Sequence, residues 1–367
     1  MKLLLLSDAA SAHTIKWANG LSNYGCDVRI ISLNNFDSSE YNPEIEISVF
    51  NIASKLKHKS SGNYLKSLYL LSIPFIKRQI KKYNPDILHS FSLSSYGFIG
   101  TAVNFHPYLV SVWGTDIYQF PEKNILTRKL TRYTLKKADM ILSTSEAMKQ
   151  QTMKFTSNKV SVVNYGVDVN EFKPQPGGEK ETFRIGTIKS LEKIYGIDFL
   201  IKAFKIILEK HPEKKTELII VGKGTQKEEL ERLAAQLDLG ERIKFIGYVS
   251  YSDISRYHNM LDVSVFPSLH ESFGVSVIEA MACAKPIVAT TTPGFNEIIE
   301  NGFNGILVPP ADAESLALAI EKFMNDKSLR DTYSANARKT AEEKFNFSKN
   351  LSQLVNYYEL LLRNHKK

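Results

Sequence analysis

Cysteine is nearly missing from this chain: Cys26 and Cys283 are its only two, far apart and in no CxxC or metal-like spacing. That excludes a disulfide framework and suggests no metal site, so a reduced, cytosolic setting is the simplest reading. Nowhere do about 18 apolar residues run together, so nothing is expected to span a membrane. The start, MKLLLLSDAASAH, imitates a secretory leader, but its apolar run stops at Ser7 and Asp8. A leader needs ~7 to 15 apolar residues there, so the segment reads as a first buried strand. Internal repeats, low-complexity tracts, and zinc, helix-turn-helix or RNA-recognition motifs are also absent, and no nucleic-acid partner is expected.

What is present is an ordinary globular composition, 43% hydrophobic and 23% charged, so the chain folds. At 367 residues it suits two domains of roughly 150 residues each. The net charge of +8 favours anionic partners without choosing among nucleotides, acidic lipid surfaces and nucleic acid. Basic residues group as KLKHK (55–59), KRQIKK (77–82) and RKLTRYTLKK (128–137), with apolar residues between the groups. These are either solvated faces of amphipathic helices or a patch that rests on an anionic membrane.

Short apolar runs alternate with helical patterns from the first residue. KLLLLS is followed by HTIKWANGLSNYG, where Ile15, Ala18, Leu21 and Ser22 make one face and Gly25 a C-cap, and then by DVRIISL. Further strands are expected at 86–91, 108–113, 140–144 and 160–165. The segment FKPQPGGEKE (172–181), with two prolines and two glycines, reads as a hinge. Beyond it, strands are expected at 183–188, 217–222, 243–248, 263–268, 286–290 and 305–310. Helices are expected at 196–211 and 227–239, with AESLALAIEKFMND and KNLSQLVNYYELLLRN closing the chain. Such alternation predicts an α/β protein of two Rossmann-like, doubly wound domains facing each other across a cleft. Gly222 and Gly224 sit between a strand and a helix, but a third glycine is missing, so they fit a structural turn better than a dinucleotide site.

The segment SLHESFGVSVIEAMACA places Glu271 and Glu279 on either side of a Phe-Gly turn. A helix beginning at Gly274 leaves its first N–H groups without intrahelical partners, and these with the positive end of the dipole make a seat for a diphosphate. Val275 to Glu279 spans roughly 6 Å at ~1.5 Å per residue, so the two carboxylates can address different parts of one extended ligand. Carboxylates accept paired sugar hydroxyls well. The plain alternative is that Glu271 caps the helix and Glu279 lies on its surface.

The stretch from VGKGTQKEEL through SLHESFGVSVIEAMACAKPIVATTTPGFNEII to NGILVPPAD resembles the donor domain of the retaining glycosyltransferases of family four. It carries their E-x7-E signature, the EAMACAKPIVAT run, and Glu297 in the NEII position. The first half resembles the same family more loosely, through NPDILHSF, VWGTD and NYGVDVNEFKP. The resemblance implies the GT-B fold, with an acceptor-side domain over 1–174, a donor domain over 175–349, and a final helix over 350–367 packing back on the first domain. It implies transfer of a sugar from a nucleotide-diphosphate donor, UDP-linked above all, to a polysaccharide or lipid-linked saccharide. The protein is then cytoplasmic, with a peripheral place on the membrane's cytosolic face. Configuration is retained by a same-face route in which the departing phosphate helps to deprotonate the acceptor, with no cofactor beyond the substrate.

By the same resemblance Glu271 holds donor-sugar hydroxyls and Glu279 the ribose, while Phe273, Gly274, Val275, Ser276 and Gly222 line the donor site. No DxD motif offers a metal site, so basic side chains must meet the leaving phosphates. The family supplies an Arg and a Lys separated by four residues; this chain has Lys189 and Lys193 separated by three, and Ile194 where strict spacing wants lysine. His13 and Asp116 are candidates beside the reacting groups, and His89 and Trp113 on the acceptor side. Trp113 departs from the family's usual histidine and suits stacking on a sugar or lipid, and Asp116 either keeps its loop or binds the acceptor. The competing readings are a nucleotide-sugar epimerase or glycogen-type phosphorylase on the same fold, and a donor-binding protein without transfer.

Overall fold

The computed structural model describes residues 1–50, 69–176 and 181–365. The basic group at 55–59 and residues 177–180 of the expected hinge lie outside them. The chain divides into two compact units, Met1–Tyr165 with Ser348–Lys367, and Gly166–Phe347. The sequence puts these boundaries at 174/175 and 349/350.

The first unit is built on seven strands: β1 (Lys2–Leu6), β2 (Asp27–Ser32), β3 (Glu46–Val49), β4 (Ile87–Phe91), β5 (Tyr108–Val112), β6 (Met140–Ser143) and β7 (Val160–Val162). Every pairing is parallel and the order is β3-β2-β1-β4-β5-β6-β7. Leu3 to Leu6 are all buried, as a strand covered on both faces requires. The chain winds outward in both directions from β1 and β4, whose carboxyl ends form the switch point where ligands of such sheets gather. β3, with sequence EISV, is an edge strand with no apolar run, which is why periodicity misses it.

The helix Ala12–Asn23 ends as expected, with Gly25 at φ +91°. Its buried face is Thr14, Trp17, Ala18 and Leu21, rather than the face through Ile15 and Ser22. The helix rolls this way because the Thr14 hydroxyl meets that of Ser7 at 2.7 Å in the core.

The second unit repeats the plan with β8 (Phe183–Ile188), β9 (Thr216–Val221), β10 (Ile243–Gly247), β11 (Val263–Phe266), β12 (Ile287–Thr290) and β13 (Ile306–Val308). All pairings are again parallel, in the order β10-β9-β8-β11-β12-β13, so the switch point lies between β8 and β11. Leu200, Ile201, Phe204 and Ile207 of the helix Ile197–Lys210 pack with Leu316, Ile320 and Phe323 of Ala313–Asn325 on one side of this sheet. The helix Lys327–Lys344 was not among the expected elements, since only Ala337, Thr340 and Ala341 of its residues are buried.

Candidate functional site

In the second unit the switch point brings together side chains far apart in sequence. Lys189 follows β8 directly, and its ammonium lies 2.5 Å from Oε2 of Glu271, in the loop after β11. Both side chains are nearly buried, at 12% and 10% exposure. The same ammonium sits 4.3 Å from the ring centroid of Tyr195, a residue that sequence reasoning did not single out. Glu271 accepts the Ser272 N–H on Oε1 at 3.2 Å, and its carbonyl accepts the Gly294 N–H at 3.0 Å. Lys193 does not join the pair: it is exposed on the short turn Lys193–Tyr195.

The helix Val275–Ala282 starts at Gly274, with φ +116° and no side-chain cap, so Glu271 is not a helix cap. A Cβ on Gly274 would come within 2.7 Å of the Phe295 ring, so close packing and backbone conformation both demand glycine. Val275 and Ser276, in the first turn, have no carbonyl of their own helix to donate to. The Phe273 side chain is buried edge-on against Phe345, which leaves its backbone as the part that can meet a ligand. Gly222, at φ +146°, presses on the Lys189 carbonyl, where a Cβ would come within 1.9 Å. It thus holds the Lys189 loop against β9, as a structural turn should.

Glu279 is not a surface residue of its helix. Only 4% of it is exposed, and its Oε2 is 3.9 Å from Nε2 of His258, whose two ring nitrogens have no hydrogen-bond partner among the described residues. Burial pulls the His258 pKa below its ordinary value, while the nearby Glu279 carboxylate works the other way. Tyr251, on the same helix as His258 (Tyr251–Met260), is also beside Glu279. Its hydroxyl is pushed far above the usual tyrosine range by burial and then by Glu279, Glu171 and Asp168. No local signal marks Tyr251 or His258, because both are more than twenty residues from Glu279 and only the fold joins them.

In the first unit His13 stands in the first turn of the helix Ala12–Asn23. Its ring stacks on Tyr165 at 4.2 Å and meets Trp113 edge-on at 5.8 Å, and Trp113 in turn lies 4.9 Å from Phe91. Asp116 keeps its loop: it accepts N–H groups from Leu93 at 2.7 Å, Gly114 at 2.8 Å and Trp113 at 3.1 Å. Burial raises its pKa and these backbone donors hold the rise back. His89 does not face solvent. It is fully buried in β4, with Nδ1 2.7 Å from the Tyr358 hydroxyl and Nε2 2.7 Å from that of Ser111, and burial takes its pKa well below the ordinary value. Among the described residues no group of three or more His, Cys, Asp or Glu could hold a metal ion.

Two family models match the chain: "Glycosyl transferase 4-like" over residues 2–145 and "Glycosyl transferases group 1" over residues 168–340. Relatives include an uncharacterized glycosyltransferase of Methanocaldococcus jannaschii, 25% identical over 94% of this chain and 92% of its own. Another is the capsular polysaccharide biosynthesis glycosyltransferase CapM of Staphylococcus aureus, 27% identical over 92% of this chain and 90% of its own. Among solved structures, sucrose-phosphate synthase from Thermosynechococcus elongatus superposes with a TM-score of 0.83 at 20% identity, covering 99% of this chain and 100% of the other. Anabaena HepE in complex with UDP gives 0.82 at 20% identity, covering 98% and 100%. The fold is GT-B, and the two family models, one on each half of the chain, together with these neighbours support the GT-B glycosyltransferase superfamily. It is a glycosyltransferase.

Proposed function

We propose that the enzyme moves a sugar, with retention of anomeric configuration, from a UDP-linked donor to a polysaccharide or lipid-linked saccharide. The observation that carries this reading is the Lys189–Glu271 pair at the β8/β11 switch point, next to the uncapped start of the helix at Gly274. A lysine there can pass from the carboxylate to the leaving diphosphate, and the freed Glu271 can take donor-sugar hydroxyls. The N–H groups of Val275 and Ser276 complete the anion seat, and Glu279 holds the ribose. No metal or other cofactor enters this scheme, since lysine and helix terminus supply the positive charge. Retention follows the same-face route implied by the E-x7-E resemblance, with the departing phosphate taking the acceptor's proton.

Support for the donor comes from HepE, whose structures were solved with UDP, UDP with glucose, and UDP-glucose, and for the acceptor from CapM, a capsular polysaccharide enzyme. The aromatic group of His13, Trp113 and Tyr165 in the first unit suits an acceptor sugar ring. We place the enzyme in the cytoplasm, at the periphery of the membrane that carries a lipid-linked acceptor. No helix among the described residues is long and apolar enough to cross a membrane. The test is transfer from a panel of UDP-, GDP- and ADP-sugars to lipid-linked and polysaccharide acceptors, with Glu279→Ala alongside. UDP-sugar consumption with a product of retained configuration is expected, with nucleotide affinity weakened in the variant. No transfer with any pair, together with unchanged nucleotide affinity in Glu279→Ala, refutes the proposal.

A further inference from the structure

We propose that the helix Ile125–Lys137 of the first unit is the surface by which the protein docks on an anionic lipid bilayer. This rests on the peripheral membrane reading above and names the face that makes the contact.

The helix is turned inside out for a surface helix. Its buried face is Thr127, Thr131, Thr134 and Leu135, whereas Ile125 and Leu126 are 74% and 62% exposed and Tyr133 is 46% exposed. The threonines stay inside because local bonds satisfy them: the Thr131 hydroxyl donates to the Thr127 carbonyl at 3.0 Å, and Thr127 closes a capping box with Asn124. Two large aliphatic side chains are thereby left in water in the first turn, where a solvated helix gains nothing from them.

The remaining exposed residues are cationic. Arg128, Lys129, Arg132, Lys136 and Lys137 are all exposed, and the helix contains no acid. Arg128 is paired with Glu122 at 2.5 Å; Lys129, Arg132, Lys136 and Lys137 form no ion pair with any described residue. The helix Ile73–Tyr83 brings Lys77, Arg78, Lys81 and Lys82, all exposed. Both helices pack against the short helix Phe98–Val103, so the two basic segments share one helical layer, with Leu71 63% exposed just ahead of the second.

Aliphatic side chains ringed by unpaired cations match the boundary of an anionic bilayer. Ile125 and Leu126 enter the acyl edge, while the lysines and arginines lie along it and place their charges among the headgroups. A nucleic-acid backbone would use the cations but leave Ile125 and Leu126 wet, and so fits less of what is there.

The test is flotation of the full chain with phosphatidylcholine vesicles and with vesicles containing phosphatidylglycerol, at low and high salt. Flotation with the anionic vesicles, weakening as salt rises, is expected. Ile125→Glu/Leu126→Glu and Lys129→Glu/Arg132→Glu should each lower partitioning about tenfold or more. Unchanged flotation of Ile125→Glu/Leu126→Glu overturns the proposal, as does binding to duplex RNA in place of vesicles. Circular dichroism confirms that the variants fold, and a thermal shift with UDP reads the donor site separately. A protein that shifts with UDP yet never floats refutes the docking surface and leaves transfer standing; one that floats but neither shifts nor transfers refutes the donor reading alone.

Discussion

The Lys189 ammonium and the Glu271 carboxylate, 82 positions apart, meet at 2.5 Å over the carboxyl ends of two neighbouring strands, and the Tyr195 ring covers the cation. Removing either partner leaves the other nearly buried and uncompensated. Lys189→Ala is therefore expected to cost about 3 to 5 kcal/mol of stability in the second unit, with Lys189→Ala/Glu271→Gln costing less than the two single changes summed. Urea denaturation of the four proteins of the cycle measures this. Transfer should fall about a hundredfold or more in Lys189→Ala if the lysine also meets the leaving phosphate.

Gly274→Ala is expected to destabilise by about 2 to 3 kcal/mol, because φ +116° strains any L side chain and the new Cβ meets Phe295. Gly274→Ala/Phe295→Leu should recover only the part due to contact. The urea midpoints of the pair separate backbone strain from packing.

Tyr358→Phe deletes the hydroxyl that meets Nδ1 of His89 in the core. A buried ring nitrogen is left without a partner, at about 1 to 3 kcal/mol. Since Tyr358 stands on the final helix, Phe347–His365, faster amide exchange along that helix is the expected signature.

His89 and His258 are both fully buried, and burial lowers the pKa of each from 6.5. In the unfolded chain they take up protons as pH falls through about 6.5, while the folded chain resists. The unfolded state thus binds more protons below that pH. Stability is complete above it and drains as pH falls, by up to about 1.4 kcal/mol per pH unit for each group. Urea midpoints at pH 7.5 and 5.5 should show the loss, and His89→Gln, which cannot protonate in this range, should flatten it.

Glu279→Gln keeps the shape of the side chain beside His258 and Tyr251 and removes its charge. Titration with UDP is expected to give about tenfold weaker binding, with the fold intact by circular dichroism. A variant that binds UDP as tightly as the parent removes Glu279 from the ribose.

The alternation of apolar runs and helical patterns carried the α/β plan, since a strand buried on both faces shows as a continuous run such as LLLL. The edge strand β3 and the helix Lys327–Lys344 were not legible, because each buries few apolar residues. Of the site, the turn at Gly274 and the helix start were legible, because a positive φ and a glycine are a local matter. The roles of the candidate histidines were not: His89 looks the same in sequence whether it ends a strand in solvent or sits between Tyr358 and Ser111 in a core.

By itself the sequence determined the elements of both sheets apart from the edge strand β3, the place of the glycine turn, and the two glutamates that flank it. These follow from periodicity, strand burial and helix capping, all of which act over a few neighbouring residues. Only the tertiary structure decided that Lys189 rather than Lys193 meets Glu271, that Glu279 is buried beside His258 and Tyr251, that Asp116 is taken up by backbone donors, and that Ile125 and Leu126 point outward. Each of these depends on which strands lie side by side and which helix face turns inward, and that is settled by burial and hydrogen bonding summed over a whole unit.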